Sequence, residues 1–181
     1  MGRLKLQMQV TVDGFDPVGQ DDDLAWDEIR DYSLGLLEGA STIVLGRKTA
    51  VEFIPYWDAA AREPGGSWHA VAQRIAQARK VVFSKAFDDP GWDNTTIETG
   101  SLAAAIERLK QDDTGDIIVY GGISFVAALV QARLIDEYHL FVNPVAAGSG
   151  RSIFAGMAGP LKLKLRKAIG FAGGHALLHY E

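Results

Sequence analysis

Hydrophobic and polar residues alternate from Leu4 to Val12, with Leu4, Leu6, Met8, Val10 and Val12 set against Lys5, Gln7, Gln9 and Thr11. A period of two predicts a first strand, residues 4–12, with one polar face, ended by the turn signal Asp13-Gly14. Residues 41–45, 80–83 and 117–120 are short apolar runs without that alternation, as expected of strands buried on both faces of a mostly parallel sheet. Residues 95–98 predict a further short strand. Helices are expected between them: one through Tyr32, Leu36 and Leu37 to Gly39, capped by Asp23 or Asp27; one opening at Gly46-Arg47-Lys48-Thr49; one over 68–78; and one from Ser101 to Gln111 with Leu102, Ile106 and Leu109 inward. Pro55 breaks the aromatic cluster Phe53-Ile54-Pro55-Tyr56-Trp57, and residues 58–67 read as loop.

The segment 116–143 organises the rest. It reads as strand, Gly121-Gly122 turn, helix 124–133 with Phe125, Leu129 and Ala132 on one face, and strand 135–142. Near the C-terminus, 161–165 alternates with Lys162, Lys164 and Arg166, and Gly173-Gly174 separates it from 176–180. That pattern predicts a terminal antiparallel hairpin with its charged face on an edge. The fold class is therefore α/β, with a mostly parallel central sheet and a C-terminal antiparallel hairpin.

Composition narrows the function. At 181 residues, 48% of them hydrophobic, the chain is expected to form a single domain over residues 1–181 with a full core. It has no cysteine, which removes disulfides, thiolate catalysis and cysteine-ligated zinc. No apolar run reaches the roughly 18–20 residues of a membrane span, and no signal peptide opens the chain, so a cytoplasmic location is expected. The net charge of −5 and the lack of a basic stripe argue against nucleic acid as a partner.

The candidate chemistry lies at the strand ends. Three successive strands end at Gly46-Arg47-Lys48-Thr49, at Ser84-Lys85 and at Gly121-Gly122, and in a parallel sheet these ends share one edge. Cations and hydroxyls at the first two suit a phosphate monoester. Paired glycines before a helix offer backbone N–H groups, which suit a pyrophosphate. Each feature alone has a plainer reading, as a tight turn or a solvated helix start; together they specify a phosphorylated dinucleotide, and NADPH is the natural candidate. Asp13 either makes its turn or reaches into a cleft as an acid. Three rings at Phe53, Tyr56 and Trp57 belong either to the core or to a stacking surface.

The motifs Thr11-Val-Asp-Gly14, Leu45-Gly-Arg-Lys-Thr49, Tyr56-Trp57, Val82-Phe-Ser-Lys85, Val119-Tyr-Gly-Gly122, Leu134-Ile-Asp-Glu137, Pro144 and Gly148-Ser-Gly-Arg-Ser-Ile-Phe154 together resemble the dihydrofolate-reductase-like superfamily. The branch they resemble is the reductase domain of the riboflavin-biosynthesis deaminase-reductase. The resemblance implies a three-layer fold and NADPH-dependent hydride transfer to a small heterocycle, similar to 5-amino-6-(5-phosphoribosylamino)uracil reduction. Arg47 and Thr49, with Ser84 and Lys85, would hold the 2′-phosphate, Gly121, Gly122, Ile123, Ser124 and Phe125 the pyrophosphate, and Gly46 would also belong to the cofactor site. Tyr120 would lie near the nicotinamide, with Asp13 and Trp57 on the substrate side and Asp13 as the catalytic acid or the residue that orients a water. The deaminase partner domain needs a histidine and two cysteines for zinc, so the likeness extends to the reductase half alone.

Pterin reduction of the dihydrofolate reductase type, and nucleotide binding without catalysis, are the rival readings. His69, His139, His175 and His179 accompany no G-x-S-x-G elbow; His175 and His179 read as edge-strand residues, and no metal is expected. The hairpin edge predicts a homodimer, a state that related reductase domains commonly adopt.

Overall fold

The computed structural model describes residues 1–16, 26–86, 91–112 and 115–181. The apolar runs become the strands β1 (Leu4–Thr11), β2 (Ala40–Gly46), β3 (Arg79–Phe83), β4 (Thr95–Glu98), β5 (Asp116–Val119) and β6 (Glu137–Asn143), and the hairpin strands are β7 (Leu165–Gly170) and β8 (Ala176–Tyr180). The helices are α1 (Trp26–Glu38), α2 (Arg47–Ala61), α3 (His69–Gln77), α4 (Leu102–Asp112) and α5 (Ile123–Gln131).

One eight-stranded sheet runs β4-β3-β2-β5-β1-β6-β8-β7. The first six strands in that order pair in parallel, and β8 joins β6 and β7 antiparallel. Leu4, Leu6, Val44, Ile117 and Val119 face one core with Ile106 and Leu109 of α4 and Val126 and Leu129 of α5. Ile43, Leu45, Val82 and Ile118 face the other with Ala50 and Ile54 of α2 and Val71 and Ile75 of α3. Strand residues of alternating parity thus serve opposite cores, which is why these runs carry no polar alternation. The expected three layers are present.

Three local expectations need correction. Helix α2 continues through Pro55 and absorbs residues 58–61. The missing proline N–H deprives only the carbonyl of Val51, an exposed residue whose carbonyl water can satisfy. Burial of Ala50 and Ile54, with Phe53 and Trp57 packed beside them, outweighs the break. Second, the hairpin strand is 165–170 rather than 161–165, because the turn fixes the register Gly170↔Ala176 and Ile169↔Leu177; Leu161 and Leu163 pack instead against the first core. Third, the polar face of β1 is covered: Gln7 and Thr11 are buried, and Gln7 Nε2 donates to Ser33 Oγ of α1 at 2.6 Å. As for the expected caps, Asp23 lies outside the described residues, and Asp27 falls in the first turn of α1 paired with Arg30.

Buried cations tie helices to the sheet. Lys80, 1% exposed, donates from Nζ to the carbonyls of Ile75, Ala76 and Ala78 at 3.2, 2.9 and 3.1 Å, closing the end of α3. These carbonyls have no helical partner of their own. Lys80→Met keeps the apolar stem but removes the shared donor, leaving the Ala76 carbonyl with the Asn94 amide alone; we expect a loss of about 1–3 kcal/mol, read as a shift of the urea midpoint at unchanged slope.

Candidate functional site

The carboxyl ends of β3, β2 and β5 lie side by side and open into a cleft of about 860 Å³. Gly46, Arg47, Thr49, Tyr120, Gly121, Gly122, Ile123, Ser124 and Phe125 all line it, and Lys48 lies among them. Two helix N-termini, those of α2 and α5, meet here. Their approach is set by glycine: a Cβ on Gly46 would stand 2.9 Å from Phe125 Cβ, and one on Gly122 2.8 Å from Thr49 Oγ1. Gly121 has φ +142 with open space before it, and a cis peptide bond joins it to Gly122.

The N–H of Gly122 is not free, since it donates to Thr49 Oγ1 at 2.8 Å. That bond occupies one lone pair of the hydroxyl and leaves its proton for a ligand. The Ile123 and Ser124 N–H groups, in the first turn of α5, have no intrahelical acceptor. With the exposed Arg47 and Lys48 opposite, the cleft presents positive charge and directed donors, a setting for an anion.

Ser84 and Lys85 line an adjoining cavity of about 350 Å³ that shares Phe83 and Phe125 with the cleft. Its floor also carries Glu98, whose carboxylate accepts the Gly100 N–H at 2.7 Å and pairs with Arg108. These bonds, the Gly100 contact first, hold Glu98 below the usual carboxylate range.

Tyr120 borders the cleft, and its hydroxyl is sealed from solvent without a partner; burial pushes the phenol well above its ordinary value. Phe53 stacks on Tyr120 with centroids 5.5 Å apart, and Trp57 packs on Phe53 and Trp68. Phe53 and Trp57 therefore belong to the core of the α2–α3 layer, whereas Tyr56 is exposed, and Trp57 is linked to the cleft through Phe53 and Tyr120.

Asp13 is not among the cleft-lining residues. Its carboxylate accepts the Thr11 hydroxyl at 2.6 Å and the N–H groups of Ala147 and Gly148 at 3.1 and 2.7 Å. The Thr11 bond, then those of Gly148 and Ala147, lower its pKa to about 2. Asp13 is thus ionised at neutral pH and clamps the connection after β6 to the end of β1. Sequence reading missed the neighbouring pair Asp16–Arg151, 2.7 Å apart, whose two members both line the cleft; only the fold joins residues so far apart in sequence. It also missed Met8 and Glu52, which carry no motif.

A mostly parallel sheet with anion donors gathered at its carboxyl edge defines an α/β protein of the class that binds ligands at that edge. More particularly, the chain belongs to the RibD C-terminal domain family, whose model matches residues 3–177. It is 27% identical over 186 residues to the uncharacterized protein YyaP of Bacillus subtilis (strain 168), covering 99% of this chain and 94% of that one. Among solved structures it is similar to Acinetobacter baumannii RibD (TM-score 0.72, 17% identity, 99% of this chain and 58% of that one). It is also similar to the diaminohydroxyphosphoribosylaminopyrimidine deaminase/5-amino-6-(5-phosphoribosylamino)uracil reductase of Thermotoga maritima (TM-score 0.66, 18% identity, 99% and 56%). At these identities the structural likeness is one of fold. The chain spans little more than half the length of either structure. No helix among the described residues is long and apolar enough to cross a membrane.

Gly46→Ala, at a backbone φ of −78 that alanine adopts freely, tests the steric contact alone; we expect about 1–3 kcal/mol of lost stability, and an unchanged unfolding midpoint contradicts the close approach. Asp13→Asn should lower the melting temperature at pH 7. A carboxylate whose pKa is depressed on folding stabilises above its unfolded value near 3.8 and loses that contribution as pH falls through about 2. The gap between variant and wild type should accordingly shrink from pH 5 towards pH 2, and a gap independent of pH would show that the clamp is not ionic.

Proposed function

We propose that this chain is an NADPH-dependent reductase that transfers hydride to a small heterocycle, of the type of 5-amino-6-(5-phosphoribosylamino)uracil reduction. The observation that carries the reading is the convergence of three strand ends on two adjoining cavities, one lined by Gly46-Arg47-Lys48-Thr49 and Gly121 to Phe125, the other by Ser84-Lys85. The cradle fits such a cofactor: Gly121 faces open space, and side chains at Gly46 and Gly122 would collide with Phe125 and Thr49. Family membership supports a reductase-like role.

In this reading Arg47 and Lys85 neutralise the 2′-phosphate, with Thr49 and Ser84 donating hydroxyl protons to it. The Ile123 and Ser124 N–H groups receive the pyrophosphate at the start of α5. Tyr120 forms an apolar wall that keeps water from the reacting face. The bound dihydronicotinamide supplies the hydride. Asp13, ionised and fully engaged, acts as a positioning residue that holds residues 146–148 and sets the substrate-side rim, and Trp57 supports Tyr120 from behind. The accompanying proton then comes from water rather than from Asp13.

Purified protein should gain more melting temperature from NADPH than from NADH, and should oxidise NADPH when offered a ribosylaminopyrimidine substrate. Replacing Arg47 and Lys85 by alanine should weaken NADPH about tenfold per lost charged contact, some 1.4 kcal/mol each, while leaving NADH nearly unchanged. Equal shifts with both nucleotides would remove the 2′-phosphate assignment; no shift with either would remove the reductase reading, and a shift without turnover would leave a binding module.

A further inference from the structure

A second polar constellation lies away from the cleft. Strands β6 and β8 run antiparallel with His139 directly opposite His179. Glu137 precedes His139 by two residues, so the pleat puts all three on one face. Nε2 of His139 lies 3.1 Å, and Nε2 of His179 3.0 Å, from the same oxygen, Glu137 Oε2. The ligand atoms of the three residues lie within 4.8 Å of one another. Glu137 and His139 are 5% and 2% exposed.

We propose that Glu137, His139 and His179 form a binding site for a divalent transition-metal ion of the zinc class, which pins the C-terminal hairpin to the central sheet. Two imidazoles and a carboxylate are a zinc ligand set, and they leave one position of a tetrahedron for water. Bonds of about 2.0–2.1 Å in a tetrahedron place ligand atoms about 3.3 Å apart, a few tenths beyond the two spacings found here.

A purely hydrogen-bonded cluster accounts for less. Nε2 of His179 is sealed from solvent and makes no correctly directed hydrogen bond, although it lies so close to Glu137. A lone pair given to a metal satisfies it. The outer contacts also match what metal ligands need: Tyr32 Oη lies 2.8 Å from His139 Nδ1, which fixes the ring, and Arg3 holds the second oxygen of Glu137 at 2.9 Å.

The local charge is not prohibitive. Lys5 pairs with Asp116 at 2.6 Å, and Arg3 pairs at 2.9 Å with Glu181, which Arg166 shares, so with Glu137 three carboxylates balance three cations. The imidazole rings stand 4.2 Å apart and 22° from parallel. Both nitrogens can share one ion only if a ring turns, and His179, with 19% of its side chain exposed, is the freer to do so. Glu137 opens β6 and Asn143 closes it at the carboxyl edge of the sheet; at about 3.3 Å per residue they are roughly 20 Å apart. The site is thus a staple for β8, and through it β7, and is independent of the reductase reading.

Untagged protein, stripped with a chelator, would be titrated with zinc(II) against a chromophoric competitor and its melting temperature followed. One ion per chain and a raised melting temperature are expected. His179→Ala, at the least buried of the three ligands, should weaken zinc at least tenfold, as should Glu137→Gln, while His69→Ala should change nothing. Cobalt(II) should give the visible absorption of a four-coordinate site in the wild type and lose it in His179→Ala. Failure to take up stoichiometric zinc, or uptake equal in wild type and His179→Ala, would overturn the site and leave any response to NADPH untouched.

Discussion

The site depends on one short contact between two corners of the fold. The N–H of Gly122 donates to Thr49 Oγ1 at 2.8 Å, joining the turn after β5 to the first turn of α2. Gly46, at the end of β2, lies against Phe125 of α5 with no room for a side chain between them. Because β2 and β5 are parallel neighbours, their following helices start at the same height, and these two contacts draw the helix N-termini to a common point. Unpaired N–H groups and the positive ends of two helix dipoles then face one cleft. Arg47 and Lys48 add formal charge to a field that the backbone already supplies.

Outside that corner, polar groups inside the fold locate the layers more tightly than apolar packing can. Apolar contacts are non-directional and tolerate sliding, whereas a buried ammonium must find acceptors. Lys80 finds three carbonyls around the end of α3, and Lys110 finds the Leu134 carbonyl at 2.8 Å and Asp136 at 2.8 Å. Gln7 reaches Ser33, which itself donates to the Ile29 carbonyl within α1. These bonds fix α1 against β1, α3 against β3 and α4 against the connection that leads into β6, so the heights of the three helices are set by directed contacts. The carboxyl edge inherits its geometry from them.

Much of this was legible in the sequence where the signal was local. The strand runs at 41–45, 80–83 and 117–120 and the glycine pair at 121–122 each declare an element and its end, and parallel pairing then brings Arg47, Thr49 and Phe125 to one place. The failures share a cause in tertiary context. Pro55 was read as a break, but the stripe Ala50, Phe53, Ile54 and Trp57 has a sheet to bury against, and the freed carbonyl belongs to exposed Val51. Alternation in β1 suggested a wet face, yet α1 brings its own polar partner in Ser33. Glu137, His139 and His179 meet only through the β6–β8 register, which no short window of sequence contains.

Asp13 shows how the two kinds of information divide between the two sides of the site. The anion-binding side is built from strand-turn-helix corners, each local in sequence. The opposite rim is built from contacts between the first turn and the connection after β6: Asp13 on Ala147 and Gly148, Val12 N–H on the Val145 carbonyl at 3.0 Å, and Asp16 on Arg151. An acid committed to three donors at a pKa near 2 is a poor proton source and a good anchor. A change of loop in 144–151 can therefore reshape this rim, because the anchor binds backbone N–H groups and is indifferent to the side chains that carry them. The glycine-lined side has no such freedom, since Gly46 and Gly122 are held by sterics. On the proposed reading, a fold divided in this way can keep one ligand-binding side while the other varies, which is the physical reason that specificity must be read from this rim and not from the sheet.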